Sequence, residues 1–381
     1  MAKKKKYSSL LKKIFLFINL GLVLLLLLSY SSYFIAPKTS SFIAFCGLGF
    51  PYIALANAIF VIFWCFIYYP YGFISLAVLL IGVQRIDALY QFRAETKPDT
   101  LEKSLKVMSF NARLFGAYSS SRQQMLQDRH AIFRYLEEQQ PDIACFQEYF
   151  DDSTKKYFPV SDSLLNILQV KPENHFAYLP VNHQKKSYYG MAIYSKYKIV
   201  NTGYMVNEKS LTNTVIFADI VAFKDTIRVF NLHLTSFHFG EEDYKIGEEL
   251  LSETQSTEQI KNKVRQILKK LEAAFITRGT QADSVVKFMG SSPYPVIVCG
   301  DFNDTPFSYT YHVISKGLKD SFRESGKDFA TTYNGTAFPS FRIDYILHSP
   351  KFKSYNHTVS KQLTISDHFP IYCWIGWQKK K

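Results

Sequence analysis

Cysteine is scarce in this chain of 381 residues. The five present, Cys46, Cys65, Cys145, Cys299 and Cys373, are far apart in sequence, which excludes a disulfide-stapled scaffold and the CxxC motifs of zinc and redox sites. HExxH is missing as well, so a lone zinc centre is disfavoured. There is no internal repeat, and the only low-complexity stretch is a Lys run at the N-terminus. Charge is absent from Ile14 to Pro37, and again through the 46 residues from Thr39 to Gln84. With 47% hydrophobic and 16% aromatic residues the chain has ample apolar mass for a packed core, which rules out disorder. The net charge of +13 is unevenly placed: +7 falls within residues 1–87 and +6 within 88–381. The larger part is only mildly basic for its size, so charge alone marks no nucleic-acid footprint.

Residues 1–87 read as a transmembrane module. Lys3, Lys4, Lys5, Lys6, Lys12 and Lys13 precede the first charge-free stretch, whose centre, Leu22 to Leu28, is nearly pure Leu. A span takes ~20 apolar residues as a helix, and this stretch is long enough. A basic start followed by an apolar run also describes a signal peptide. The second apolar region follows at once, which favours an uncleaved span. That second region is too long for one helix across ~30 Å of hydrocarbon and about right for two. Tyr68-Tyr69-Pro70-Tyr71-Gly72 reads as an interfacial turn at headgroup depth. The expectation is three helices, about 14–36, 42–65 and 66–85, with two spans, one long and tilted, as the alternative. A Lys-rich N-terminus stays in the cytoplasm. Three spans make this a multi-pass integral membrane protein with the rest of the chain on the non-cytoplasmic side. Two spans would keep it inside, and Arg85, Arg93 and Lys97 argue weakly for that.

Residues 88–104 are polar, contain Pro98 and read as a linker. Residues 105–377 then alternate strands and helices as one α/β (α+β) domain, of a size that fits a single core. Strands are expected at Leu105–Phe110, Asp142–Glu148, Gly190–Ser195, Pro295–Cys299, Arg342–Leu347 and Phe369–Trp377. Val215–Phe223 and Ile227–Leu234 form a hairpin across Lys224-Asp225. Met125, Leu126, Ile132, Phe133 and Leu136 are spaced as one face of a helix over 121–138. A charged helix, with Ile260, Val264, Ile267, Leu268 and Leu271 on one face, is expected from Glu241 to about Phe275.

Almost every strand exit carries a polar residue, where an α/β domain presents catalytic groups. Asn111 ends the first strand and Glu148 the next. His233 lies in Asn231-Leu232-His233-Leu234, and Asp301 and Asn303 in Gly300-Asp301-Phe302-Asn303. Asp344 lies in Arg342-Ile343-Asp344-Tyr345, and Asp367 and His368 in Ser366-Asp367-His368. Each alone has an ordinary reading as a loop cap, a turn or a hydrogen-bonded core residue. Asp344, between two apolar neighbours, is harder to dismiss, because an unpaired buried carboxylate is very costly. Six such sites in one chain are improbable as six coincidences.

Together with Ser109-Phe110-Asn111, Phe146-Gln147-Glu148 and Gly190-Met191-Ala192-Ile193-Tyr194-Ser195, these motifs resemble the endonuclease/exonuclease/phosphatase family of metal-dependent phosphoesterases, the DNase I-like enzymes. The resemblance covers about 105–377. It implies a four-layer α/β/β/α sandwich and a hydrolase acting on phosphodiester or phosphomonoester bonds with Mg²⁺, or Mn²⁺, as cofactor. It further implies Glu148 and Asn111 as metal ligands, with Asp367 joining them or lying behind them. His368 is then the general base on the attacking water, oriented by Asp344. Asp301 orients that water or protonates the leaving oxygen, and Asn303 and His233 donate to the non-bridging oxygens. The chemistry agrees independently: hard cations prefer carboxylate and amide oxygens, and an imidazole with an unperturbed pKa of ~6.5 suits proton transfer at neutral pH. One position departs from the pattern. Some nucleases of the family carry an acidic residue two positions after the first-strand Asn, where this chain has Arg113. That puts a second metal in doubt and leaves Arg113 free to meet a substrate phosphate. Arg278 and Gln281 could face the cleft, although a solvated helix is the favoured reading there.

The substrate is less legible. The first reading is a membrane-anchored, nuclease-like phosphodiesterase, with Lys185, Lys186, Tyr188 and Tyr189 as a basic-aromatic patch. The second is a lipid-headgroup phosphoesterase, sphingomyelinase-like or phosphoinositide phosphatase-like, with Phe237-His238-Phe239 as an apolar loop. A non-catalytic membrane binding protein is the third. The bilayer is the implied partner besides the phosphoester, and no protein partner is evident.

Overall fold

The computed structural model describes residues 2–92, 103–152, 159–183, 187–205, 210–237, 257–335 and 341–378. The N-terminal sequence forms α1 (Ala2–Ser31), α2 (Ser41–Leu48), α3 (Phe50–Ile67), α4 (Tyr69–Ile81) and the short α5 (Val83–Ile86). Two segments, Leu10–Ser31 and Phe50–Ile67, are long and apolar enough to cross a bilayer, and Tyr69–Ile81 is a shorter apolar helix. The helix expected over 42–65 is divided at Gly49, with Pro51 in the first turn of α3. The turn expected over residues 68–72 is confined to Tyr68, because Pro70 sits in the first turn of α4, where no N–H donor is needed.

Helices α1, α3 and α4 share a buried chain of hydrogen bonds. Trp64 Nε1 donates to Asn19 Oδ1 at 2.8 Å, Asn19 Nδ2 to Ser75 Oγ at 2.5 Å, and Ser75 Oγ to Asn57 Oδ1 at 3.0 Å. Apolar surroundings make such partners worth up to ~1–2 kcal/mol each and fix which helix faces meet. The bundle rests on the rest of the chain at one end. Ser32 Oγ donates to Phe307 O, Tyr33 Oη to Pro306 O, and the Phe50 and Phe307 rings lie 4.1 Å apart. Arg323 pairs with Asp87 at 3.1 Å, and Arg342 donates to Ala88 O. Lys12 lies over the ring of Tyr68 at the other end.

The strands are β1 (Tyr90–Gln91), β2 (Ser104–Asn111), β3 (Ile143–Asp152), β4 (His175–His183), β5 (Ser187–Ser195), β6 (Lys198–Tyr204), β7 (Val215–Ala222), β8 (Asp225–His233), β9 (Val296–Asp301), β10 (Lys319–Asp320), β11 (Asp328–Phe329), β12 (Asp344–His348), β13 (Phe352–Val359) and β14 (Ile371–Trp377). The helices of this part are α6 (Arg122–Gln139), α7 (Val160–Ile167), α8 (Thr257–Gly290), α9 (Tyr309–Ser315) and α10 (Ser321–Ser325). One six-stranded sheet has the order β13-β14-β2-β3-β5-β4 and the other β10-β12-β9-β8-β7-β6.

Strand alternation builds the layers. In β2, Leu105 and Val107 point to the second sheet, while Met108 and Phe110 point to the helix layer with Ile132 and Leu136 of α6. Across the gap Ile216, Ala218, Val229, Ile297 and Cys299 complete the inter-sheet core. Phe230, Val298 and Tyr345 face outward onto Ala282 and Val285 of α8 and Tyr311 of α9. This is the four-layer α/β/β/α sandwich. Cys145, Cys299 and Cys373 are free and buried in the inter-sheet core, where they pack as small apolar groups.

Two expectations change. Strands β4, β6 and β13 carry Pro, Gly and polar residues that hide their periodicity, and they emerge only through pairing with β5, β7 and β14. Helix α8 continues past Phe275 to Gly290, and the earlier part of that expected helix, 241–256, lies outside the described residues. Most of the expected linker, 93–102, also lies outside them.

A buried histidine on β13, the edge strand of the first sheet, makes stability pH-dependent. The His357 Nδ1–H donates to Ser321 Oγ at 2.7 Å, and that hydroxyl donates to Ile346 O. Burial, with the nearby Arg342 charge, pushes the His357 pKa down to about 3 against the pull of Asp320. An unfolded histidine titrates at ~6.5, so the unfolded chain takes up a proton that the folded chain refuses between those values. Stability is therefore full above about pH 6.5 and declines as pH falls toward 3. Melting temperatures across pH 4–7 should show a shallower slope for His357→Gln; an unchanged slope would contradict the assignment.

Candidate active site at the strand ends

The site forms where adjacent parallel pairs, β2 with β3 and β8 with β9, reach their C-terminal ends. Across the second sheet His233, Asp301 and Asp344 are register partners on neighbouring strands, so three functional groups stand in one row. Gly300 lets β9 approach β8: its φ is +149, and a Cβ there would meet Leu232 O at 2.2 Å. In the first sheet, the β3–β5 register shifts between Phe146 and Tyr149. Glu148 sits in that bulge with φ +45, which turns its carboxylate out of the strand alternation toward the row. Asn303 and Arg113 also have positive φ, at +52 and +45. Such conformations persist in non-glycine residues when the surroundings over-determine them.

The side chains converge. Asn111 Nδ2 donates to Asp301 Oδ2 at 3.1 Å and to Glu148 Oε1 at 3.2 Å. Asp301 also accepts from the Asn303 backbone N–H at 2.8 Å and from Asn303 Nδ2 at 3.0 Å. His368 Nδ1 lies 3.0 Å from Asp344 Oδ2, and its Nε2 is 3.6 Å from Asp301 Oδ2. His233 Nε2 is 3.8 Å from Asp301 and 4.0 Å from Glu148. The last three separations exceed hydrogen-bond length, and they leave the imidazole Nε2 atoms facing a gap rather than a partner.

Asp301, Asp344 and His368 are buried, and one ligand-type atom from each falls within 4.8 Å of the others. Burial opposes charge on His368, but Asp344 and Asp301 outweigh it and hold the imidazole pKa well above its usual range. Asp301 is pushed up to about 6, first by burial and then by Asp344, against the pull of His368 and His233. The buried His233 is shifted down chiefly by desolvation, which keeps it neutral and a hydrogen-bond donor or acceptor without charge. Glu148 is raised by burial and then by the charge of Asp367; His368, Asn111 and Arg113 offset this only in part. Two carboxylates repelling each other form a set that a hard divalent cation would relieve; Asn111, whose Nδ2 faces Glu148 and whose Oδ1 accepts from the Arg113 N–H, would join it by turning its amide oxygen inward. Glu148 and Asn111, with Asp367 beside them, therefore fit a Mg²⁺-type ion. The Asp344–His368 pair is engaged with itself and fits a proton-handling role better than a ligand role.

All nine anticipated residues are at or beside this cluster. Arg113 and Asp367 form its rim: Arg113 Nε is 3.9 Å from Asp367 Oδ1, and both side chains are partly exposed. Arg278, expected on a solvated helix, is instead buried; it pairs with Asp304 at 3.2 Å and donates to Thr235 O. Gln281 Oε1 accepts from the Thr235 N–H. Both brace the loops behind Asn303 rather than facing the cleft. Lys185, Lys186, His238 and Phe239 lie outside the described residues.

Other supports were not anticipated. Gln147 Nε2 donates to Asn231 Oδ1 at 2.5 Å, and Asn231 Nδ2 donates to Phe146 O and Ala192 O. This cross-link joins the two sheets under the site. Thr332 Oγ1 accepts from the N–H groups of Ile343 and Asp344, fixing the start of β12. The place of Gln147 and Asn231 inside the quoted motifs was the available signal; Thr332 offered none.

The sequence matches the family model described as "Endonuclease/Exonuclease/phosphatase family" over residues 108–368. A second model, a domain of unknown function (DUF8431), matches residues 12–89. No curated protein matches the chain. Among solved structures, an endonuclease/exonuclease/phosphatase family protein from Bacteroides thetaiotaomicron is 20% identical, covering 72% of this chain and 95% of its own, with a TM-score of 0.50. It shares the fold. A mannosyl-6-phosphatase from the same organism is 20% identical over 72% of this chain and 100% of its own, with a TM-score of 0.49. A truncated Caenorhabditis elegans TDP2 is 18% identical over 72% and 98%, with a TM-score of 0.45.

Proposed function

The chain belongs to the endonuclease/exonuclease/phosphatase family, whose fold is that of a phosphoester hydrolase, and from this premise we propose a divalent-metal-dependent phosphoesterase held at a membrane. The observation that carries the reading is the convergence of the His368–Asp344 pair, Asp301, Asn303 and His233 on one gap, with Glu148 and Asn111 at its side. In this reading Asp344 holds the His368 tautomer with Nε2 toward the gap, and neutral His368 takes the proton of the attacking water. Asp301 orients that water and delivers a proton to the departing oxygen. His233 and Asn303 donate to the non-bridging oxygens, where charge grows in the transition state. Glu148 and Asn111, with Asp367 adjacent, hold Mg²⁺ or Mn²⁺. A cation held there would supply charge neutralisation at the phosphoryl group and would favour the neutral form of the neighbouring imidazole. Arg113 at the rim meets a substrate phosphate oxygen.

The test is hydrolysis of bis(p-nitrophenyl) phosphate and p-nitrophenyl phosphate by the full chain in detergent. The expected result is turnover of at least one ester that needs added Mg²⁺ or Mn²⁺. A folded protein inactive on both, and on supercoiled plasmid, contradicts the reading.

The helix layout supports three passes. Ser32 just after α1, Phe50 at the start of α3 and Asp87 just beyond α5 all contact the catalytic domain, whereas Tyr68, between α3 and α4, meets Lys12 near the N-terminus. With the Lys-rich terminus in the cytoplasm, the catalytic domain lies on the opposite side. Protease added to cells with a permeabilised outer layer should digest the domain; protection until lysis would contradict this sidedness.

A further inference from the structure

One cavity joins the helical module to the catalytic domain. It has a volume of about 250 Å³ and a mostly apolar lining. Pro51, Tyr52 and Leu89 line it from the N-terminal side; Thr305, Phe307, Ala330 and Phe341 are among those lining it from the catalytic side. Arg342 also lines it, but its charge is neutralised by Asp320 at 2.5 Å. A cavity below the usual ~300–1,000 Å³ of small-molecule sites suits a segment of a flexible chain rather than a whole ring system.

Two observations say what enters it. On the outer side, Tyr52, Leu55, Ile59, Ile62 and Phe66 are exposed along one face of α3, a stripe at helical spacing that ends at the cavity wall. Hydrocarbon in contact with that stripe has a continuous apolar path inward. On the inner side, the Thr305 hydroxyl is buried and has no hydrogen-bond partner among the described residues. A buried unpaired hydroxyl is costly, and a ligand oxygen that reached it would recover that cost. Thr305 is two residues beyond Asn303, and Arg342 two residues before Asp344, so along the chain the inner wall is within about 7 Å of two residues that border the gap.

We infer that this cavity binds the hydrocarbon chain of a membrane amphiphile whose phosphoester head occupies the catalytic gap. The inference rests on the phosphoesterase reading and deepens it: the substrate is a phosphoester with a hydrocarbon tail, drawn from the bilayer. Thr305 meets the oxygen at the junction of head and tail, and Tyr52 and Leu89 flank the tail where it leaves the lipid phase. The nucleic-acid alternative assigns no role to an apolar cavity that continues the lipid-facing stripe.

The test uses the full chain in nanodiscs and two photoreactive probes. One is a non-hydrolysable alkyl phosphonate with a diazirine near the end of its chain; the other is the same chain without the phosphonate. The expected result is that the phosphonate probe labels peptides containing Tyr52, Leu89 or Phe341. It should do so at least tenfold more than the headless chain, and Ala330→Phe, which fills the cavity, should remove the excess. Equal labelling by both probes, or labelling confined to the outer faces of α1 and α3, overturns the inference. As a second arm, the ratio of kcat/KM for decyl over methyl p-nitrophenyl phosphodiesters should be well above one and should collapse toward one in Leu89→Trp. A ratio near one in the parent also overturns it. Turnover of the methyl ester without cavity labelling would leave the hydrolase reading standing and defeat only the tail site. Cavity labelling without metal-dependent turnover of any ester would defeat the catalytic reading.

Discussion

Replacing Asp301 with Asn lowers turnover by about 10²- to 10⁴-fold, the range that a single proton-handling group contributes. The substitution is nearly isosteric and removes a carboxylate that burial already pushes toward the neutral form; the amide keeps one acceptor for the Asn303 N–H and gives up the one that serves Asn111 Nδ2 and Asn303 Nδ2. What it removes is the acceptor facing His368 at 3.6 Å and His233 at 3.8 Å. His368→Gln belongs with it. It forfeits proton transfer while keeping a side chain that can donate to Asp344, where His368→Ala would leave a buried carboxylate unpaired. Steady-state rates should fall together in the two variants, with melting temperatures within a few degrees of the parent. A variant retaining near-full rate removes that residue from the mechanism.

The second large effect concerns the cation. Chelation with EDTA should take activity to background, and restored Mg²⁺ should return it. Glu148→Gln keeps the volume and removes the charge. Outer-sphere losses already cost ~10–100-fold in metal affinity, so loss of a direct carboxylate ligand should cost at least as much. The concentration of Mg²⁺ at half-maximal rate should therefore rise by ~10-fold or more. Glu148 is raised by burial and by Asp367, so its neutral replacement should not destabilise the apo fold, and the gain in melting temperature on adding Mg²⁺ should shrink. An unchanged metal midpoint would place the ion elsewhere.

The candidate site is legible in the sequence because most of its residues lie at the ends of apolar strands within short local motifs. Asp344 could be read from its neighbours alone: a carboxylate between Ile343 and Tyr345 had to be paired, and it is, with His368. Strand alternation also places both inner faces, so the sandwich follows from patterns such as Leu105, Val107 against Met108, Phe110. Contacts between distant segments were not legible. The Gln147–Asn231 cross-link spans 84 residues and the Ser32–Phe307 contact 275, and no periodicity encodes either. Arg278 looked solvated because the face on which it lies is charged further upstream; only the packed structure reveals Asp304 beneath it. The turn between α3 and α4 departs from the sequence pattern by a few residues, since aromatic composition marks a headgroup-like region, whereas Pro70 marks where α4 starts.

The central claim is that water, activated at His368, attacks phosphorus. Turnover in ¹⁸O-labelled water, with mass analysis of both products and the Asp301→Asn protein as control for contaminating enzymes, tests it most directly. The account predicts one ¹⁸O atom in the phosphate-bearing product, none in the released alcohol, and no turnover by the control. Label in the alcohol, or equal turnover by the control, would contradict it.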